Sequence, residues 1–153
     1  MKDIRLIVAS HKKYDMPKDD MYIPLYVGSK GKESIGFERD DNGINISEKN
    51  PFFCELTGLY WAWKNLNADY IGLCHYRRHF TLSKRIPKSE NDKFEILLSK
   101  EQLDRILENT DIVLSKKRKY YIENLYNHYK HTMYVEPLDE AGKIIEEISR
   151  ISK

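Results

Sequence analysis

The sequence predicts an α/β fold: a mainly parallel sheet flanked by helices. Short apolar, β-branched runs alternate with segments of helical periodicity, the pattern of βαβ layering. Each of three such runs also ends abruptly in a polar, basic segment, as strands do where they leave a sheet at its ligand-binding rim.

The first run, Ile4 to Ala9, is a buried strand that breaks into the loop Ser10-His11-Lys12-Lys13-Tyr14. Tyr22 to Val27 is a second strand, with Pro24 suiting an edge or a bulge. Asp41-Asn42-Gly43 is a turn. Asn50-Pro51 opens a helix, with Asn as cap and Pro at the first helical position. Phe52, Leu56, Leu59, Trp63 and Leu66 share one stripe of it and are its expected core face. Tyr70 to Cys74 is a buried strand running into His75-Tyr76-Arg77-Arg78. Ser99 and Gln102 form a capping box for a helix buried through Leu103, Ile106 and Leu107. Ile112-Val113-Leu114 reads as a further buried strand before Ser115–Lys119. A tyrosine-rich helix is expected over 122–131, and Ala141, Ile144, Ile145, Ile148 and Ile151 mark a terminal amphipathic helix.

The 153 residues match the roughly 100–200 of one domain, so residues 1–153 are read as a single domain. Net charge is +2 from 26 basic and 24 acidic residues, which argues against a generic polyanion binder and so against nucleic acid as partner. Two cysteines make no disulfide framework, no apolar run approaches the ~18 residues of a membrane span, and no signal sequence opens the chain. The expected compartment is cytoplasmic. Eleven tyrosines exceed what a core needs and suit surfaces where an apolar face meets a polar ligand.

Three basic strand-end segments, Ser10–Lys13, His75–Arg78 and Ser115–Lys119, point to an anionic ligand. Arginine binds phosphate oxygens bidentately and stays charged, so Arg77 and Arg78 are the strongest candidates. Adjacent residues of an extended segment face opposite ways, so one of the two is expected to reach the ligand directly. Asp40, Asp41, Asn45 and Ser47 gather oxygen atoms suited to ribose or sugar hydroxyls or a hard cation, although turn and cap chemistry explains part of this segment. Glu55 reads as a helix-dipole charge, and Trp61 as packing. No Walker loop, GxGxxG, HExxH, zinc cluster or Asp-x-Asp occurs.

The stretch ISEKNPFFCELTGLYWAWKNLNADYIGLCHYRRHF (46–80), with VASHKKYDMPKD (8–19), IPLYVG (23–28) and DIVLSKKRKYYIENLYNHYKH (111–131), resembles a bacterial family of exopolysaccharide and capsule biosynthesis glycosyltransferases, long catalogued as a domain of unknown function. The resemblance implies a GT-A-like (Rossmann-like) fold and transfer of a sugar from a nucleotide-diphospho-sugar donor to a glycan or lipid-linked glycan acceptor. It also implies peripheral association with the cytoplasmic membrane where the acceptor is lipid-linked. Family members continue further, so the chain is expected to be C-terminally truncated, a donor-binding portion. Metal-dependent GT-A enzymes carry Asp-x-Asp where this chain has His75-Tyr76-Arg77-Arg78, which implies transfer without a metal cofactor.

On this reading Ser10 and His11 contact the nucleoside, Asp41, Asn45 and Ser47 reach ribose or sugar hydroxyls, and His75, Tyr76, Arg77 and Arg78 line the diphosphate. No catalytic base stands out. The rival reading is a catalytically inactive, truncated module that binds a nucleotide sugar or docks on a partner.

Overall fold

The computed structural model describes residues 2–117 and 119–151; Met1, Arg118, Ser152 and Lys153 lie outside the described residues. Two compact units divide between Leu114 and Ser115.

The first unit holds a four-stranded, all-parallel sheet in the order β3-β2-β1-β4. Its strands are β1 (Ile4–Ser10), β2 (Tyr22–Tyr26), β3 (Glu38–Arg39) and β4 (Tyr70–His75). Side chains of β1 alternate between the two faces, as the period of two requires. Ile4, Leu6 and Val8 join Met21, Tyr22, Cys74, Tyr76, Leu98, Leu103 and Leu107 in one core cluster. Ile7 and Ala9 join Leu25, Val27, Trp61 and Ala62 in the other. Ala9 pairs with His75, so the C-terminal ends of β1 and β4 lie side by side.

Between β3 and β4 the chain forms α1 (Asn50–Phe53) and α2 (Leu56–Asn65). The single helix expected here is broken at Cys54, whose φ of 46° is left-handed and ends the first helix. Asn50 bridges the break, its Nδ2 donating to the Cys54 carbonyl (2.7 Å) and to Thr57 Oγ1 (3.1 Å). The buried face of α2 is also not the expected stripe. Thr57, Gly58, Trp61 and Ala62 are buried, whereas Phe52, Leu56 and Trp63 are 86%, 53% and 64% exposed. Close approach decides the face. A Cβ at Gly58 would stand 2.8 Å from Val27 Cγ1, so only glycine lets the helix backbone sit this near the sheet. Trp61 then closes over the core, with Nε1 donating to Asn42 Oδ1 at 2.6 Å.

After β4 come α3 (Glu90–Glu95) and α4 (Lys100–Ile106). Ser99 and Gln102 make the expected capping box of α4. The expected strand at 112–114 is not formed. Ile112 and Leu114 are exposed and only Val113 packs on the core, so among the described residues β4 is an edge of the sheet. A three-residue apolar run carries strand propensity but does not by itself supply a ladder partner.

The second unit contains α5 (Leu125–Thr132) and α6 (Glu136–Ile151). Asn124 caps α5 by accepting from the Asn127 amide, so this helix starts later than the tyrosine pattern suggested. The amphipathic α6 matches the expected terminal helix, and its Leu138, Ile144, Ile145, Ile148 and Ile151 are exposed.

Candidate functional site

The adjoining ends of β1 and β4 form a basic rim around one buried ring. His75–Arg78 is a tight turn: the Arg78 amide donates to the His75 carbonyl (2.8 Å) and the His75 amide to the Arg78 carbonyl (3.1 Å). This turn drives Tyr76 inward, where it is 2% exposed. The rings of His75, Tyr14 and His11 stand 4.2, 5.0 and 5.4 Å from it. Lys12 Nζ and Arg77 Cζ lie 5.6 and 5.3 Å from its centroid, within cation–π range. Lys93, from α3, donates to the Tyr76 carbonyl at 3.4 Å. Tyr76 therefore organises the rim from beneath.

Arg77 and Arg78 are exposed, and no carboxylate among the described residues forms an ion pair with either. The tight turn replaces the extended geometry that predicted opposite-facing arginines. Ser10 is buried; its hydroxyl donates to the Lys12 carbonyl at 2.6 Å and so shapes the loop, leaving His11, Lys12 and Lys13 exposed.

His75 links this rim to α2. Its Nδ1 accepts from the Arg77 amide (3.2 Å), and its Nε2 stands 3.7 Å from Glu55 Oε1. Burial pushes the imidazole pKa below its ordinary value; Glu55 opposes this, while the charges of Arg77, Arg78 and His11 add to it. In a proton NMR titration His75 is expected to titrate below an exposed histidine, Glu55→Gln to lower its midpoint further, and Arg78→Ala to raise it. An unmoved midpoint in both variants would contradict the electrostatic description.

Asp41, Asn45 and Ser47 belong to a second network, centred on Asp40, which is fully buried. The Asp40 carboxylate accepts from the amides of Gly28 and Ser29 and from the hydroxyls of Ser29, Ser47 and Thr57. Ser47 is 1% exposed, which closes it to direct ligand contact here. Asp41 forms a bidentate pair with Arg39 (2.8 and 2.9 Å), and the guanidinium holds its carboxyl below the usual range. Asn45 Nδ2 donates to the carbonyls of Asp41 and Gly43, both at 3.0 Å. These groups fix a loop. The two networks meet at the α1–α2 junction, where Thr57 bonds Asp40 and Glu55 faces His75.

The structure thus brings His11, His75, Arg77 and Arg78 together over Ser10 and Tyr76, and keeps Asp41, Asn45 and Ser47 in the neighbouring loop network. Ser10 and Tyr76, at 1% and 2% exposed, are closed to the direct ligand contact expected of them and act as supports. Sequence reasoning missed Glu55, Tyr14 and Lys93. The break at Cys54 that presents Glu55 has no sequence signal, since a left-handed cysteine is uncommon.

The third basic segment does not leave a strand. Lys116, Lys117 and Lys119 line a cleft in the second unit with Tyr120, Tyr121 and Tyr126, and Arg118 lies outside the described residues. Nearby, His128 and His131 both direct Nδ1 at Glu123, at 3.0 and 2.9 Å. Cys74 is buried, its thiol pushed up to about 12 by burial, and Cys54 is exposed; neither is in a disulfide.

Among the described residues no three His, Cys, Asp or Glu side chains gather as a metal site. The end of β4 carries the guanidiniums of Arg77 and Arg78, whose fixed positive charge does not fit the divalent cation that metal-dependent GT-A enzymes hold there.

No curated protein matches the chain. A solved structure described as WbbM bifunctional glycosyltransferase, apo, matches 95% of the chain with a TM-score of 0.79 and 33% sequence identity. The chain spans 29% of that protein's length. The parallel sheet flanked by helices is accordingly that of a GT-A-like glycosyltransferase fold. Residues 5–151 also match the family described as Domain of unknown function (DUF4422), and the chain belongs to that family.

Proposed function

We propose that the chain is a glycosyltransferase domain that binds a nucleotide-diphospho-sugar donor for surface or capsular polysaccharide synthesis. The observation that carries this is the pair of exposed guanidiniums, Arg77 and Arg78, which meet no carboxylate among the described residues. They stand at the C-terminal rim of adjoining parallel strands with Lys12 beside them. Ligands of open α/β sheets bind in this position. The likeness to a bifunctional glycosyltransferase supports the same reading. The family match runs through both units, and we treat residues 1–153 as one donor-binding domain.

In the proposed mechanism Arg77 and Arg78 hold the diphosphate bidentately. As the bond between the anomeric carbon and the phosphate oxygen breaks, charge gathers on the nucleoside diphosphate, and preorganised cations lower the barrier where that charge develops. The loop of His11, shaped by Ser10, lies next to the turn and takes the nucleoside. Asp41, held by Arg39, and Asn45, held to the Asp41 and Gly43 carbonyls, are the next candidates for hydroxyl contacts. A glycan or lipid-linked acceptor supplies the attacking hydroxyl. A lipid-linked acceptor would hold the protein at the cytoplasmic leaflet; no described helix is long and apolar enough to cross a membrane.

A thermal-shift panel of nucleotide sugars tests this, because a ligand that binds the native state raises its melting midpoint by mass action. One nucleotide-sugar class is expected to raise the midpoint, and to do so equally in excess EDTA. No shift with any member, or a shift that requires added Mn2+, would overturn the donor-binding or the metal-independent part respectively.

A further inference from the structure

We propose that Glu55, paired with His75, reads a hydroxyl of the donor's sugar. The proposal rests on the donor-binding reading above and adds a residue to it.

Glu55 stands directly after the left-handed Cys54, at the N-terminal end of α2. The break is held by the Cys54 amide donating to the Asn50 carbonyl (2.8 Å) and by the Asn50 Nδ2 bond to the Cys54 carbonyl. It aims the Glu55 side chain at the end of β4, where it remains 44% exposed. The Arg77 amide donates to His75 Nδ1, which in a neutral ring assigns the proton to Nε2, on the side of Glu55. The 3.7 Å between Nε2 and Oε1 is too long for a direct hydrogen bond and lets a hydroxyl bridge the two. Such a group donates its proton to the carboxylate and accepts from Nε2–H. A hydroxyl has both functions, whereas a phosphate oxygen has no proton to give and is repelled by the carboxylate.

This hydroxyl-selective pair lies one imidazole ring away from the turn that carries the guanidiniums. Two hydroxyl-bearing groups are bonded directly to the diphosphate, the ribose and the sugar; with the nucleoside seated at the His11 loop, the hydroxyl read here is assigned to the donor sugar. On this reading Glu55 is a specificity residue.

The test compares the full wild-type chain with Glu55→Gln by calorimetry. The probes are UDP and GDP, and UDP-glucose, UDP-galactose, UDP-N-acetylglucosamine and GDP-mannose. Wild type is expected to bind one nucleotide sugar tighter than its sugar-free nucleotide. Glu55→Gln is expected to bind the sugar-free nucleotide at least as tightly as wild type does, and to lose about tenfold of the affinity that the sugar adds, the scale of one hydrogen bond to a charged group. Its discrimination between the glucose and galactose epimers shrinks. Glu55→Asp, which withdraws the charge by one methylene, gives an intermediate loss. If Glu55→Gln keeps the sugar increment, or loses nucleotide and nucleotide sugar equally, the inference is overturned while donor binding stands. If wild type binds none of the probes, the donor-binding reading fails and this inference fails with it.

Discussion

Replacing Arg77 and Arg78 together by alanine is expected to weaken nucleoside-diphosphate binding by about a hundredfold or more. A hydrogen bond to a charged group contributes about 1.5–3 kcal/mol, and two guanidiniums give at least two such bonds to a diphosphate. Both side chains are exposed, and neither is neutralised by a carboxylate among the described residues, so their charge is available to a ligand. The unliganded protein should melt as wild type does, because surface substitutions of this kind usually change stability by less than about 0.5 kcal/mol. Arg77→Lys should fall between wild type and the double variant, since lysine keeps the charge but loses the planar fork. Calorimetric titration at fixed ionic strength measures all three. Equal affinity in wild type and double variant would remove the diphosphate clamp from the mechanism.

Asp40→Ala is expected to destabilise the first unit by about 4 kcal/mol or more, a large share of the 5–15 kcal/mol that folded domains possess. The carboxylate is fully buried and accepts from two amides and three hydroxyls. Alanine leaves those donors without a partner, at about 1–3 kcal/mol for each that water cannot reach. Asp40→Asn keeps the shape but turns an N–H donor toward part of the same donor set, and an intermediate loss is expected. Urea unfolding checks both through the transition midpoint. An unmoved midpoint in Asp40→Ala would show that the loop between β2 and α1 is held by other contacts. The same network positions Thr57, two residues after Glu55, so its loss should also weaken donor binding beyond the fraction unfolded.

Glu55 shows where local reading stops. Its position in the sequence marks a helix charge, and that is correct as far as it goes, since α2 begins immediately after it. Its neighbourhood with His75 depends on a helix break and on the pairing of β4 with β1, and neither is a property of residues 50–57 alone. The stripe of Phe52, Leu56 and Trp63 makes the same point. Its period is helical, but the sheet accepts the face that carries Gly58, because packing distance outweighs side-chain hydrophobicity there. Asp40, which by sequence belongs with oxygen atoms suited to hydroxyls or a hard cation, is instead the fully buried centre of a loop.

The sequence alone determined the parallel α/β layering, the strands β1, β2 and β4, the capped helix α4, and the basic character of two strand ends. These follow from contrasts between neighbouring residues: β-branched runs bury, and charge returns where the chain leaves the sheet. Tertiary structure decided which helix face packs, that residues 112–114 stay out of the sheet, and that Glu55 meets His75. Each of these turns on distances between segments remote in the chain, which local chemical contrast does not encode.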